Sequence, residues 1–173
     1  MFIDYIKNEK EGLIMEGWNN RLGLSNAIID ELRIDMSSKL MRLVFHAEKF
    51  LFKNKYKIYG LLFTMPICGE GDLLSFERNK NIALTMPFDI LVDSKGQSFM
   101  NLKNVTYNFE TKDGAYFYLT NLYYGDQAKS DYTHNYLNKN WKLITQIFPP
   151  LILDDICFKI FNAVATLLQD LLL

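Results

Sequence analysis

The stretch NVTYNFETKDGAYFYLTNLYYGD, residues 104–126, decides the fold class, because apolar and polar side chains alternate on both sides of Asp113-Gly114. Alternation of this kind is typical of a strand with one buried face, and Asp-Gly is a common hairpin turn. The stretch contains seven aromatic residues, which fit either a core or a contact surface. We therefore predict a β-hairpin whose two faces differ.

Two registers of this hairpin compete. A two-residue loop, Asp113-Gly114, places Phe109 opposite Tyr118 and mixes charge with hydrocarbon on one face. A three-residue loop from Lys112 to Gly114 shifts the pairing by one residue and separates the faces cleanly, so we favour it. The apolar face then holds Val105, Tyr107, Phe109, Phe117 and Leu119, and the polar face holds Thr106, Asn108, Glu110, Tyr116, Tyr118 and Thr120.

Short apolar or alternating runs continue this pattern through the middle of the chain, roughly from residue 56 to 124. The runs KIYGLLFTM, DLLSFE and IALTMPFDILVD and the stretch 104–126 are separated by CGEGD, RNKN and DSKGQ, which have the composition of turns. Strands joined by short turns pair antiparallel. The sequence therefore predicts an antiparallel sheet built mainly from this region.

Residues 25–52 allow two interpretations. An apolar stripe from Ile28 to Leu51 has helical spacing, and Ser25 is a natural N-cap. The segment ELRIDMSSKLMRLVFH also alternates on both sides of Ser37-Ser38, as a hairpin does. Since serine and aspartate are poor residues for the middle of a helix, we favour the hairpin.

After Gly125 the apolar spacing changes to three and four residues, which predicts a helix reaching Phe148. Pro149-Pro150 ends this helix and begins a second, strongly apolar one. The predicted fold is α+β: a mainly antiparallel β-sheet from the middle of the chain with two C-terminal helices packed on it. No linker or repeat interrupts the sequence, so we expect a single compact domain over residues 1–173.

Composition and charge exclude several functional classes. The formal net charge is −1, from 20 acidic and 19 basic side chains spread along the chain, which argues against nucleic-acid binding. Charged residues follow the first methionine closely, unlike a signal peptide, and they also interrupt the apolar C-terminal segment. We therefore expect a cytoplasmic protein and do not favour membrane attachment. The two cysteines, Cys68 and Cys157, belong to no metal-binding pattern.

No catalytic motif is present, and neither His46 nor His134 lies in one. The loop GEGD offers two carboxylates, Glu70 and Asp72, without the spacing of a standard metal site. We expect no enzyme activity, no catalytic residues, no metal and no cofactor. The alternatives are a small hydrolase or ligand-binding domain using Glu70–Asp72, and a membrane-associated protein using the C-terminal helix.

The favoured functional hypothesis is a protein-binding module. Tyrosines beside amide and carboxylate side chains form rigid contact surfaces, and tyrosine is enriched at interface hot spots. A small chain without motifs is compatible with a bacterial or phage neutralising protein, of the immunity or inhibitor type, that covers a partner toxin or enzyme. The predicted partner is another protein, such as a toxin encoded nearby. The predicted contact residues are Asn108, Glu110, Tyr116, Tyr118, Glu70 and Asp72.

Overall fold

The computed structural model describes residues 1–147 and 150–169, and within these ranges seven β-strands precede three α-helices. The strands are β1 (Phe2–Lys10), β2 (Leu13–Asp35), β3 (Leu40–Leu62), β4 (Met65–Val92), β5 (Ser98–Leu102), β6 (Thr106–Thr111) and β7 (Ala115–Leu119). A 3₁₀ turn at Tyr123–Gly125 is followed by α1 (Gln127–Lys139), α2 (Trp141–Ile147) and α3 (Pro150–Gln169). The α+β class is confirmed, and the β-structure begins already at Phe2.

The strand order is β1-β2-β3-β4-β5, and β6 and β7 both pair with β4. β1 pairs antiparallel with β2, and β4 pairs antiparallel with both β5 and β7. In the β4 to β7 pairing, Leu73 faces Leu119 and Glu77 faces Ala115. The 28-residue strand β4 therefore provides hydrogen-bond partners for several shorter strands.

The chain divides into two compact units. Within the described residues, the first unit comprises residues 1–26, 47–80 and 111–151, and the second comprises residues 27–46, 81–110 and the chain from 152 onward. The single domain that the sequence predicts stays a prediction.

The hairpin predicted within residues 25–52 is confirmed by β2 and β3, and the helical interpretation is wrong. Asp35 stabilises the turn, since its Oδ1 accepts hydrogen bonds from the backbone nitrogens of Ser37 at 2.9 Å and Ser38 at 3.1 Å. The hydroxyl of Ser37 and the N–H of Ser38 hold the pKa of the Asp35 carboxyl well below its usual range. The serines that disfavour a helix thus form the turn.

A β-bulge shifts the alternation in β4. Buried side chains occupy odd positions up to Glu77 and even positions from Lys80 onward. Between them Asn79 has a φ of 52°, a left-handed conformation that asparagine tolerates better than most residues. The predicted turns RNKN and CGEGD both lie inside β4, so those turn predictions are wrong.

Asp113-Gly114 does not reverse the chain, so the predicted hairpin and its register are wrong. The carbonyl of Gly114 accepts from the N–H of Arg78 at 2.9 Å, and the N–H of Lys112 donates to the carbonyl of Asn79 at 3.1 Å. Strands β6 and β7 therefore both lie along β4. The edge of β4 supplies the hydrogen bonds that a hairpin partner would have supplied.

The first of the two predicted helices is divided into α1 and α2. Asn140 has a φ of −103°, and its side-chain nitrogen donates to the carbonyl of Tyr136 at 2.8 Å. Phe148 and Pro149, where this helix is predicted to end, lie outside the described residues. The end of the second predicted helix, from Asp170 onward, also lies outside them.

Helix α1 covers the outer edge of β7 with two side chains one turn apart. Asn138 accepts from the N–H of Phe117 at 2.7 Å and donates to its carbonyl at 3.1 Å. His134 Nε2 accepts from the N–H of Leu119 at 3.0 Å. Unpaired strand edges invite association with other chains, so these bonds protect this edge.

The first unit has an apolar core formed by the sheet and the helices. Buried members of this core come from β2, β3, β4, β7, α1, α2 and the segment that follows β7. They are Leu13, Met15, Tyr56, Ile58, Leu62, Ile67, Phe117, Leu119, Leu122, Leu137 and Ile144.

The second unit buries apolar side chains of β3, β4, β5 and α3. On α3 these are Leu153, Ile156, Cys157 and Leu168, and burial raises the pKa of the Cys157 thiol to about 12. The hydroxyl of Tyr107 donates to Asp154 Oδ1 at 2.5 Å. The strand residues are Met41, Leu43, Phe45, Ile82, Leu84, Met86, Phe88, Met100 and Leu102.

We predict that Asn138→Ala lowers the free energy of unfolding by about 1–3 kcal/mol, because it leaves two backbone groups of Phe117 without partners. Chemical denaturation followed by circular dichroism measures the change. Asn135→Ala is the matched control, since Asn135 is exposed on the same helix and should change stability by less than about 0.5 kcal/mol. Equal stability of the two variants would contradict the protective role of Asn138.

Candidate functional site

Within β6 and within β7, exposed side chains alternate with half-buried or buried ones. Tyr107 and Phe109 are half-buried, and Phe117 and Leu119 are buried. The predicted contact residues Asn108 and Glu110 are exposed on β6, and Tyr116 and Tyr118 on β7 are exposed by 49% and 46%. The division into core and surface side chains therefore matches the one predicted from the three-residue loop. The hairpin from which it was predicted does not form.

Two of the predicted contact residues, Asp72 and Tyr118, line one shallow depression of about 470 Å³ in the first unit. Asp72 forms an ion pair with Lys55, and its N–H donates to Thr120 Oγ1 at 2.8 Å. The Tyr118 ring stacks on His134 of α1, with the ring centroids 5.2 Å apart. The depression is shallow and open, so it would enclose little of a ligand.

The GEGD segment is part of strand β4 and not a loop. Its glycines therefore serve close packing of the chain and not a turn. A Cβ atom on Gly71 would lie 2.5 Å from Thr120 Oγ1 and 2.6 Å from the Thr120 carbonyl. Glycine is therefore required for the close approach of the chain that follows β7. Glu70 and Asp72 are exposed on either side of this contact.

Both histidines are engaged in structural hydrogen bonds. His134 bonds the N–H of Leu119 through Nε2 and the carbonyl of Ser130 through Nδ1, the latter at 2.9 Å. His46 Nδ1 lies 2.7 Å from a carboxylate oxygen of Asp30. Among the described residues, no group of three or more histidine, cysteine or acidic side chains could hold a metal ion.

An apolar recess lies between the beginning of β4 and the N-terminal half of α1, in the first unit. Its volume is about 660 Å³, and most of its lining is hydrocarbon. The sequence reasoning missed this recess, because its residues come from separate segments and form no motif. The lining residues are Met65, Pro66, Ile67, Cys68, Tyr123, Ala128, Lys129, Tyr132 and Thr133.

Tyr123 holds the two walls of the recess together. Its φ of 54° places it in the left-handed region, and its hydroxyl donates to the carbonyl of Pro66 at 3.1 Å. The same hydroxyl lies 2.8 Å from Thr133 Oγ1 on α1. These two bonds fix the helix relative to the strand and so hold the recess in shape.

The polar groups of the recess lie near the start of α1. Asp126 caps this helix by accepting from the N–H of Lys129 at 3.1 Å, and the Lys129 ammonium lies 3.4 Å from the same carboxylate. The Lys129 backbone N–H, followed by its ammonium, lowers the pKa of Asp126. The Tyr132 side chain is 66% exposed. A ligand could therefore meet an ammonium and a phenol beside an apolar wall.

A buried ion pair lies next to the bulge of β4, also in the first unit. Lys80 Nζ is 2.6 Å from Glu77 Oε2, both side chains are almost fully buried, and Thr111 Oγ1 donates to the same carboxylate oxygen. The Lys80 ammonium also lies 5.1 Å from the centre of the Phe50 ring. Burial lowers the pKa of Lys80 despite the opposing attraction of Glu77.

Within the described part of the chain, none of the helices is long and apolar enough to cross a membrane.

Comparison with known proteins gives a family and a structural neighbour. The family model described as "Haemolymph juvenile hormone binding protein (JHBP)" matches residues 19–171. The crystal structure of Epiphyas postvittana Takeout 1 is similar, with 27% sequence identity and a TM-score of 0.90 over 99% of this chain and 80% of that one. No curated protein matches this sequence.

These matches overturn the functional hypothesis drawn from the sequence. The hypothesis of a bacterial or phage neutralising protein, of the immunity or inhibitor type and with a toxin as partner, is wrong. The matching family is described as a haemolymph protein that binds juvenile hormone. A cytoplasmic location is wrong for the same reason, since haemolymph is extracellular. The sequence failed here because an absence of motifs does not distinguish among binding proteins.

We predict that Glu77→Ala lowers the free energy of unfolding by about 3–5 kcal/mol, since it removes the carboxylate that compensates a buried ammonium. The double variant Glu77→Leu/Lys80→Met is the control and should lose much less, because no buried charge remains. Thermal and urea unfolding of both variants measure the difference. Equal losses would show that packing, and not charge, explains the effect.

The same pair predicts a pH dependence. The folded pKa of Lys80 lies below its unfolded value, so its contribution to stability is complete above the unfolded pKa and declines as the pH falls. Removing Glu77 lowers the folded pKa further. Glu77→Ala should therefore recover stability as the pH rises toward about 10.4, more steeply than the unmodified protein does.

Proposed function

Since the chain belongs to the haemolymph juvenile hormone binding protein family, we propose that it binds a small, largely apolar ligand and carries it in an extracellular fluid. The observation that carries this proposal is the apolar recess beside Tyr123, together with the family. A carrier needs no catalytic group, and the proposed role is accordingly non-enzymatic. The hormone in the family's description is the first ligand to test.

The size and lining of the recess support such a ligand. Sites for small molecules have volumes of roughly 300–1,000 Å³ and are mostly apolar with a few polar groups that fix orientation. The recess, at about 660 Å³, is within that range. Burial of apolar area supplies about 25 cal/mol for each Å² removed from water, so hydrocarbon contact would provide most of the affinity.

The rim of the recess favours a ligand with one polar end. Tyr132 and Lys129 can both donate hydrogen bonds to an ester or carboxyl oxygen, whereas the Tyr123 hydroxyl already bonds Pro66 and lies against Thr133. The ligand would lie with its hydrocarbon against Met65 and its oxygen near the start of α1. The contact role of Asn108, Glu110, Tyr116, Tyr118, Glu70 and Asp72 stays a prediction.

We predict that Ala128→Trp weakens binding of juvenile hormone about tenfold or more, because the indole fills the recess. Ala128 is exposed at the start of α1, so the fold should tolerate the change. Displacement of an apolar fluorescent probe by the hormone measures the affinity. Ala163→Trp is the matched control, since Ala163 is an exposed alanine on α3, outside the recess.

Three outcomes would count against the proposal. The unmodified protein could fail to bind the hormone or any other apolar probe. Ala128→Trp could bind as tightly as the unmodified protein, which would place the ligand elsewhere. Ala163→Trp could weaken binding equally, which would make the effect non-specific.

A further inference from the structure

The segment between β5 and β6 contains an acceptor motif for N-linked glycosylation. Asn104-Val105-Thr106 has the form Asn-X-Thr with X other than proline, and none of the other asparagines in the sequence has serine or threonine two residues later. Such a tripeptide is short enough to occur by chance, so its place in the fold decides whether it can carry a glycan. A glycan is bulky and hydrated, and it requires an asparagine at the surface.

The fold places Asn104 outside the strands. Residues 103–105 have no regular secondary structure, although β5 before them and β6 after them both pair with β4. Pro87 of β4 lies opposite the start of this gap, and its carbonyl accepts from the N–H of Lys103 at 2.9 Å. Since proline has no N–H to donate in return, the ladder is interrupted at this point. The motif therefore lies in an irregular segment, where an asparagine side chain is accessible.

The side chains of the motif are arranged as an acceptor site requires. Asn104 and Thr106 are exposed, whereas Val105 between them is half-buried. Val105 thus faces the protein, and its two neighbours project into solvent. Among the residues that the structure describes, neither the Asn104 amide nor the Thr106 hydroxyl has a hydrogen-bond partner. A sugar attached to the Asn104 nitrogen would therefore break no contact of the folded chain.

The residue before the motif holds the segment in place without using the motif itself. The Lys103 ammonium lies 2.7 Å from a carboxylate oxygen of Asp89, and its backbone N–H bonds the Pro87 carbonyl. The anchoring contacts of the segment come from Lys103 and Val105, and Asn104 is left free for modification.

We propose that Asn104 carries an N-linked glycan. In the reaction, the Asn104 side-chain nitrogen forms a bond to the anomeric carbon of the first sugar of a polyprenyl-diphosphate-linked oligosaccharide. The bond between that carbon and the diphosphate breaks, the diphosphate leaves with the bonding electrons, and the nitrogen loses one proton.

The modified site belongs to the second unit, whereas the apolar recess belongs to the first. Glycosylation depends on the extracellular location in the proposed function, since the oligosaccharide donor is used in the lumen of the secretory pathway. It does not depend on which apolar ligand the recess binds.

Expression of the full chain through the secretory pathway of insect cells tests the modification. The product should migrate more slowly in gel electrophoresis than the same chain made in bacteria. Digestion with a peptide N-glycosidase that accepts core-fucosylated glycans should abolish the difference. Because this enzyme converts a glycosylated asparagine to aspartate, peptide mass spectrometry should locate the conversion at Asn104 alone.

Variants of the motif separate its recognition from general effects on the chain. Asn104→Gln and Thr106→Ala should each remove the glycan completely, the second although Asn104 is unchanged. Thr106→Ser should keep the glycan, because the motif accepts either hydroxyl residue. Asn108→Gln is the matched control, since Asn108 is also exposed but is followed by Phe109-Glu110. This control should keep the glycan.

An unglycosylated Asn104 in the insect-cell product, whether secreted or retained, would overturn the proposal, and so would a glycan that survives Thr106→Ala. Displacement of an apolar fluorescent probe by the hormone is measured on the same preparations. A chain that binds the hormone but has no glycan contradicts only the modification. A glycosylated chain that binds no apolar ligand contradicts only the proposed carrier function.

Discussion

Main-chain hydrogen bonding along β4 is the constraint on which the other strands depend. This strand pairs with β3 and also with three short strands, β5, β6 and β7, that could not form stable sheets alone. Its bulge at Asn79 changes which side chains are buried, so Glu77 and Lys80 meet although they are three residues apart. Without that shift the ammonium of Lys80 would be directed away from its carboxylate.

The sequence predicts side-chain faces better than it predicts strand partners. Alternation from Tyr107 to Leu119 correctly separates buried from exposed side chains because it depends only on local geometry. The strand with which β6 and β7 pair is determined by non-local contacts, since both form hydrogen bonds with the long strand β4. Asp113-Gly114 has the composition of a hairpin turn, yet nothing in the local sequence reveals that an open edge already lies alongside.

The turn predictions for CGEGD and RNKN were wrong because they, too, rest on local composition alone. Glycine and asparagine mark both turns and bulges, and the sequence alone does not say which of the two a position needs. In β4, Asn79 accommodates a bulge and Gly71 accommodates the chain near Thr120. The recess could not be predicted either, because Met65, Tyr123 and Ala128 are ordinary residue types that only the fold brings together.

The burial of Cys157 has a consequence for redox chemistry. The thiolate is the form that reacts with oxidants and disulfides, and a pKa of about 12 makes it much scarcer at neutral pH than for an ordinary thiol. Leu153 and Ile156, buried on the same helix, belong to the apolar surroundings that exclude water from the sulfur. Cys157 can therefore persist as a free thiol even in an oxidising fluid, where exposed cysteines form disulfides.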